Sequence, residues 1–235
     1  MRISDGHLLI PGHELPSFAE VQAISIAAAG RAKAEGVSSN KSYLKPVLTD
    51  HDFLASPALF RFCLAESLLD SVASYLSERP ILRSVQVYLT ERNDTSLGSQ
   101  QWHFDHIETS QIKMFVNMLP MEEPNGPFTF VPKSVSDTFL RSTGLTWETA
   151  HKRKFDDADL AGIEASAIRI AGPAGTAAMV DTSNCLHLGG RTREGERIML
   201  IAQYTRRSAF DPKRRPPVPP AETLTASQRA ALLLH

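Results

Sequence analysis

From Ser84 to Thr90 the chain alternates strictly, with Val85, Val87 and Leu89 on one side and Gln86, Tyr88 and Thr90 on the other. A period of two puts these sets on opposite faces of a strand. The apolar face packs on a layer behind it, and the polar face lines a cavity. The same pattern returns over 111–119, where Ile112, Met114, Val116 and Met118 oppose Lys113, Phe115 and Asn117. It returns again over 197–205, where the odd positions share a face that Arg197 opens. Runs at 7–10, 100–105, 128–131, 167–170 and 176–180 read as further strands, separated by turn signals such as Pro11-Gly12 and Pro124-Asn125-Gly126-Pro127.

Before residue 80 the period is nearer 3.6. Phe18, Val21, Ile24, Ile26 and Ala28 predict a helix over 17–34 with one apolar face, stopped near Gly36. Asp50 can cap a short helix, and 57–76 predicts a long one ended by Pro80. The polar stretch 134–162, with a helical piece at 146–152, reads as an insertion that covers the site like a lid. The segment 212–220 is proline-rich, and Thr225 or Ser227 can cap a last short helix. Helices first, then seven or eight short strands, predict a single α+β domain over 1–235 with a sandwich or jelly-roll core. Its helical part spans about 14–80, its barrel 84–206 and its tail 211–235. No internal repeat is visible.

Composition narrows the partners. The chain has 235 residues, 42% hydrophobic and 22% charged, with a net charge of −1. That balance gives no electrostatic case for nucleic acid or an anionic membrane, and a small-molecule substrate is expected. The basic residues Arg206, Arg207, Lys213, Arg214 and Arg215 read as a solvated segment. The two cysteines, Cys63 and Cys185, make no disulfide framework, and Cys185 reads as packing. The opening residues lack an apolar signal stretch and no run approaches membrane-spanning length, so a cytoplasmic protein is expected.

The chemistry concentrates in Trp102-His103-Phe104-Asp105-His106. On extended backbone, His103 and Asp105 point to one side and His106 to the other. Two histidines and one carboxylate with open positions suit Fe(II) and O2. Of the eight histidines at 7, 13, 51, 103, 106, 151, 187 and 235, only His151 and His187 remain as third ligands, and His187 lies between two late strands. A jelly roll returns late strands beside early ones, which favours His187. Arg197 follows ten residues later (197 − 187). A buried guanidinium needs an anion and suits a carboxylate bidentately, as the far end of a 2-oxo dicarboxylate would provide. Arg191 and Arg193 are its rivals but fall in a polar loop.

These segments, with Asn125-Gly126-Pro127, Phe130-Val131-Pro132-Lys133-Ser134, His187-Leu188-Gly189-Gly190 and the opening Asp5-Gly6-His7, resemble the phytanoyl-CoA dioxygenase-like branch of the Fe(II)/2-oxoglutarate-dependent oxygenases. The resemblance implies a double-stranded β-helix, Fe(II) on His103, Asp105 and His187, and Arg197 on the distal carboxylate of 2-oxoglutarate. It implies further co-substrate contacts at Gln86, Phe115 and Lys113, and more loosely at Tyr88 and Thr90. Lys133-Ser134-Val135 departs from the Gly-Ser-His frequent in the family. The family's halogenases lack the carboxylate, so Asp105 points to oxygen rather than halide transfer. The expected reaction consumes 2-oxoglutarate and O2, releases succinate and CO2, and oxidises a substrate C–H near Tyr88, Phe115, Asn117 and Met199. The competing expectation is a cupin-like isomerase or metabolite-binding protein that uses the metal without O2 and needs no Arg197 anchor.

Overall fold

The computed structural model describes residues 1–12, 15–39, 41–218 and 223–234. In chain order its elements are β1 (His7–Ile10), α1 (Phe18–Ala34), β2 (Lys45–Pro46), α2 (Asp50–Ala55), α3 (Pro57–Cys63), α4 (Glu66–Leu76), β3 (Ile81–Glu91) and β4 (Ile112–Asn117). There follow β5 (Thr129–Phe130), α5 (Lys133–Thr143), α6 (Trp147–Ala150), β6 (Ile168–Arg169), β7 (Ala177–Asp181), β8 (His187–Leu188), β9 (Glu196–Thr205) and α7 (Ala226–Ala231). A six-stranded sheet runs β1-β7-β4-β9-β3-β2, and a three-stranded sheet runs β6-β5-β8. All pairings are antiparallel.

Strand parity sorts the side chains into layers. Val85, Val87, Leu89, Met114, Val116, Leu200 and Ala202 join one core with the buried faces of α1, α3 and α4. Their alternates Phe115, Ala178, Val180 and Met199 join Phe128, Phe130 and Ile170 of the smaller sheet. A third core backs the smaller sheet, where Trp102, Phe104, Val131 and Leu186 meet Phe139, Ala150, Phe155 and Leu160. At about 25 cal/mol per Å² of apolar surface, each buried Leu or Phe contributes roughly 1.5–3 kcal/mol.

Several expectations change. The helix predicted over 57–76 breaks at Leu64 and Ala65, whose ψ values are 24° and 132°. Both halves are apolar enough to bury, so periodicity hides the break. The carbonyls it frees are used: Tyr204 donates to Cys63 at 2.6 Å and Gln228 to Leu64 at 3.2 Å. In α1, Ile26 is exposed and the buried face runs through Val21, Ser25, Ala28, Ala29 and Ala32. Thr225, rather than Ser227, caps α7 by accepting from Gln228 N at 3.2 Å. The strand expected over 100–105 reduces to single bridges at Trp102 and His103, after a 3-10 turn at Gly98–Gln100. His13, His235 and the end of the proline-rich segment lie outside the described residues. No helix among the described residues is long and apolar enough to cross a membrane.

Candidate active site

Three main-chain contacts bring the predicted ligands together. His103 and His187 exchange backbone hydrogen bonds, at 2.8 Å from His103 N and 3.0 Å from His187 N. Asp105 N donates to Thr182 O at 2.8 Å. One ligand atom from each of His103, Asp105 and His187 lies within 4.8 Å of the other two. The Nδ1 atoms of His103 and His187 sit 2.8 Å from Gln101 O and 2.9 Å from Cys185 O. With Nδ1–H donating to those carbonyls, both Nε2 atoms are left free to hold a metal ion. His106 points away, is exposed and stacks with His151 at 5.9 Å, so neither rival joins the cluster.

The charges suit a cation. Burial holds His103 down to about 2, helped by His187 and Lys154, so its ring is neutral at physiological pH. Burial likewise lowers His187 to about 4, against the opposing pull of Asp105. Burial works to raise the Asp105 carboxyl, but Lys113 and the two imidazoles outweigh it and hold it below the usual range. Lys113 Nζ lies 2.7 Å from Asp105 Oδ2, and His187 Nε2 lies 3.8 Å from the same oxygen.

The ligand loops are tied down by a residue that sequence reasoning passed over. Asp181, at the end of β7 and fully buried, accepts from Tyr75 Oη at 2.9 Å, Ser110 Oγ at 2.7 Å, Asn184 Nδ2 at 2.9 Å, Ser183 N at 3.1 Å and Gln111 N at 3.4 Å. Ser110 and Gln111 follow Asp105, and Ser183 and Asn184 precede His187. One carboxylate therefore fixes both approaches to the cluster.

A cavity of about 430 Å³ opens over the three ligands. That is within the range of small-molecule sites. Gln86, Tyr88, Lys113, Phe115, Arg197 and Met199 all line it. Asn117 does not: it is fully buried and donates to Ile170 O at 2.8 Å, tying β4 to the start of the β6–β7 connection. Gln86 accepts from Leu48 N at 2.8 Å and donates to Leu48 O at 3.3 Å, so its amide is committed to the wall.

No lining residue comes from 134–162. That segment packs its own apolar core behind the smaller sheet and pairs Phe155 with Trp102 through two backbone hydrogen bonds of 2.9 and 3.0 Å. It clamps the segment that carries His103 from outside rather than lining the cavity. The wall comes instead from 41–46, which carried no periodicity to read, and from Arg214 of the tail. The tail is not wholly solvated: Arg214 and Arg83 share Asp211, and Arg206 meets Glu108 at 3.4 Å.

Arg197 is 5% exposed. It donates to Gly126 O at 2.8 Å and Thr90 Oγ1 at 3.3 Å, and among the described residues no acid pairs with it. Its rivals are taken, Arg191 by Asp157 at 2.6 Å and Arg193 by Asp94 at 3.8 Å. Two glycines make its berth. A Cβ on Gly190 would stand 1.5 Å from Gly126 O and 2.5 Å from an Arg197 nitrogen, and one on Gly126, whose φ is +75°, would strike the Arg191 backbone at 2.6 Å.

No family model matches the chain, and no curated protein sequence matches it. Solved structures do. EctD from S. alaskensis superposes with a TM-score of 0.59 at 19% identity, covering 98% of this chain and 83% of that one. HygX from Streptomyces hygroscopicus, solved with nickel and 2-oxoglutarate bound, gives 0.54 at 17%, covering 86% and 83%. SnoN, a non-haem α-ketoglutarate-dependent epimerase from nogalamycin biosynthesis, gives 0.53 at 18%, covering 86% and 76%. The chain thus has the cupin-like jelly-roll fold shared by non-haem iron/2-oxoglutarate-dependent enzymes.

Proposed function

We propose that this protein is an Fe(II)/2-oxoglutarate-dependent oxygenase of a small molecule. The observation that carries the reading is Arg197: a buried guanidinium with no acid partner among the described residues, in the same cavity as a two-histidine, one-carboxylate cluster. Burying a charge is unfavourable unless an anion meets it, and a planar fork selects a carboxylate. A metal alone leaves that charge unanswered. A dicarboxylate that chelates the metal at its 2-oxo acid end answers it.

In this reading His103, Asp105 and His187 hold the iron through two neutral nitrogens and one oxygen. When bound, the iron couples decarboxylation of 2-oxoglutarate to substrate oxidation, so that R–H, 2-oxoglutarate and O2 become R–OH, succinate and CO2. Lys113 holds Asp105 in its rotamer, and Phe115 and Met199 exclude water around the co-substrate. Gln86 stiffens the wall through Leu48. Tyr88 borders the space left for the prime substrate. Because the neighbours include an epimerase, hydroxylation is the outcome proposed first rather than the one the fold requires.

The test is succinate formation from 2-oxoglutarate by anaerobically Fe(II)-loaded protein on admission of air. Wild type should turn over, and His103→Ala, Asp105→Ala and His187→Ala should not. Wild-type protein that takes up neither iron nor 2-oxoglutarate would overturn the proposal.

A further inference from the structure

The cavity carries more positive charge than the proposed chemistry uses. Its charged lining consists of Lys41, Lys113, Arg197 and Arg214 against a single acid, Asp105. Lys113 is paired with Asp105, and Arg197 is assigned to the co-substrate. A divalent ion, Asp105 and a doubly charged 2-oxo dicarboxylate together sum to one negative charge. Arg197 and Lys113 already exceed it. Lys41 and Arg214 are then surplus. Lys41 has no acid partner among the described residues, and Arg214 shares its one partner, Asp211, with Arg83. Lys154 lies near enough for its charge to act on Asp105, Lys41 and Lys113, which strengthens the excess.

The excess is also placed. Lys41 and Arg214 are exposed and so stand at the mouth. Tyr88 lies on the same wall within the field of Arg214. Deeper in, Phe115, Phe128 and Met199 are buried and give the wall an apolar patch, with the Phe128 ring 5.6 Å from the His187 ring and tilted to it. Like charges gathered at a cavity mouth draw in counter-ions and orient them.

We propose that the prime substrate is a small amphipathic anion, a carboxylate or phosphate monoester. Its head group meets Lys41, Arg214 and the Tyr88 hydroxyl at the mouth, and its apolar body lies against Phe115, Phe128 and Met199 beside the metal cluster. The inference rests on the oxygenase reading above and adds the substrate class and its orientation: the carbon oxidised is one remote from the anionic group.

The test uses probes of matched size, hexanoate, hexyl phosphate, 1-hexanol and hexylamine, titrated calorimetrically into Mn(II)-loaded protein saturated with 2-oxoglutarate. At least one anion should bind tenfold or more tightly than hexanol, with hexylamine weakest, and the better anion identifies the head group. Lys41→Gln/Arg214→Gln should reduce anion affinity at least tenfold, and by a larger factor than it reduces 2-oxoglutarate affinity. Hexanol or hexylamine binding as well as both anions overturns the proposal, as does unaltered anion binding in the double variant. The series is repeated with metal-free Arg197→Met protein, where no co-substrate site can capture the probes. There the anion preference should persist, and it can be read even if 2-oxoglutarate fails to bind wild type, an outcome that strikes the oxygenase reading alone.

Discussion

Replacing Arg197 with methionine separates a ligand anchor from a structural arginine. Methionine keeps the length and loses the charge. Burial pulls the guanidinium down from its ordinary range to about 10. That lowering makes the unanswered charge a burden of about 3–4 kcal/mol. Arg197→Met removes that burden. It also removes two hydrogen bonds and leaves Gly126 O and Thr90 Oγ1 short of a donor, at about 1–3 kcal/mol each for buried groups. The opposing effects nearly cancel, so the ligand-free variant should lie within about 2 kcal/mol of wild type. A buried arginine that held a structural ion pair would instead cost about 3–5 kcal/mol.

The ligand changes the comparison. At a hundred times its dissociation constant, 2-oxoglutarate should stabilise Mn(II)-loaded wild type by about 2.7 kcal/mol. For a chain of this size that is roughly 5–11 °C in melting temperature. Loss of the buried charge partner weakens binding by about 2–5 kcal/mol, so the variant should keep at most about a third of that shift at the same concentration. Thermal unfolding with and without 2-oxoglutarate reads both effects. A ligand-free variant destabilised by more than 3 kcal/mol, or one that keeps the full shift, refutes the assignment.

Other consequences follow from the same geometry. Gly190→Ala should push Arg197 aside and weaken 2-oxoglutarate at least tenfold by calorimetry, whereas Gly30→Ala, with nothing within 4 Å of its added Cβ, should stabilise α1 by about 0.5–1 kcal/mol. Asp181→Asn presents an amide to five donors; urea unfolding should show a loss of about 2–4 kcal/mol, and metal titration a drop of about 10- to 100-fold. An unchanged metal affinity would remove Asp181 from the site's support. His103 and His187 are held neutral below the range where an unfolded histidine takes up its proton, so their contribution is present above pH 6.5 and lost as pH falls toward 4. Metal-free protein should lose roughly 2 kcal/mol per histidine between pH 6.5 and 5, and His103→Gln/His187→Gln should flatten that slope in urea titrations.

What could be read from the sequence was what depends on local parity. The inward and outward faces of β3, β4 and β9 follow from a period of two, and they place Gln86, Phe115 and Arg197 in one cavity without knowledge of the turns between. What stayed hidden depends on distant partners. Leu64 gave no sign that its freed carbonyl would meet Gln228, 164 positions on. The polarity of 134–162 suggested a lid because its apolar residues, Phe139, Ala150, Phe155 and Leu160 among them, are spread among polar ones and announce no core until Trp102 and Leu186 meet them. Arg214 read as solvated because the acid that orients it, Asp211, also serves Arg83 on β3.

The ligand cluster combines both kinds of information. Each histidine is oriented by a carbonyl two residues before it, Gln101 for His103 and Cys185 for His187, so the two presentations are the same local device used twice. An extended chain supplies that spacing wherever it occurs, which is why an i, i+2 pattern can be read without a fold. What turns two such segments into one site is the reciprocal pair of backbone hydrogen bonds between His103 and His187, with Asp181 holding the loops on either side. Main-chain geometry therefore suffices to bring the three candidate ligands together. Lys113, paired to Asp105 Oδ2, fixes the one charged member of the cluster.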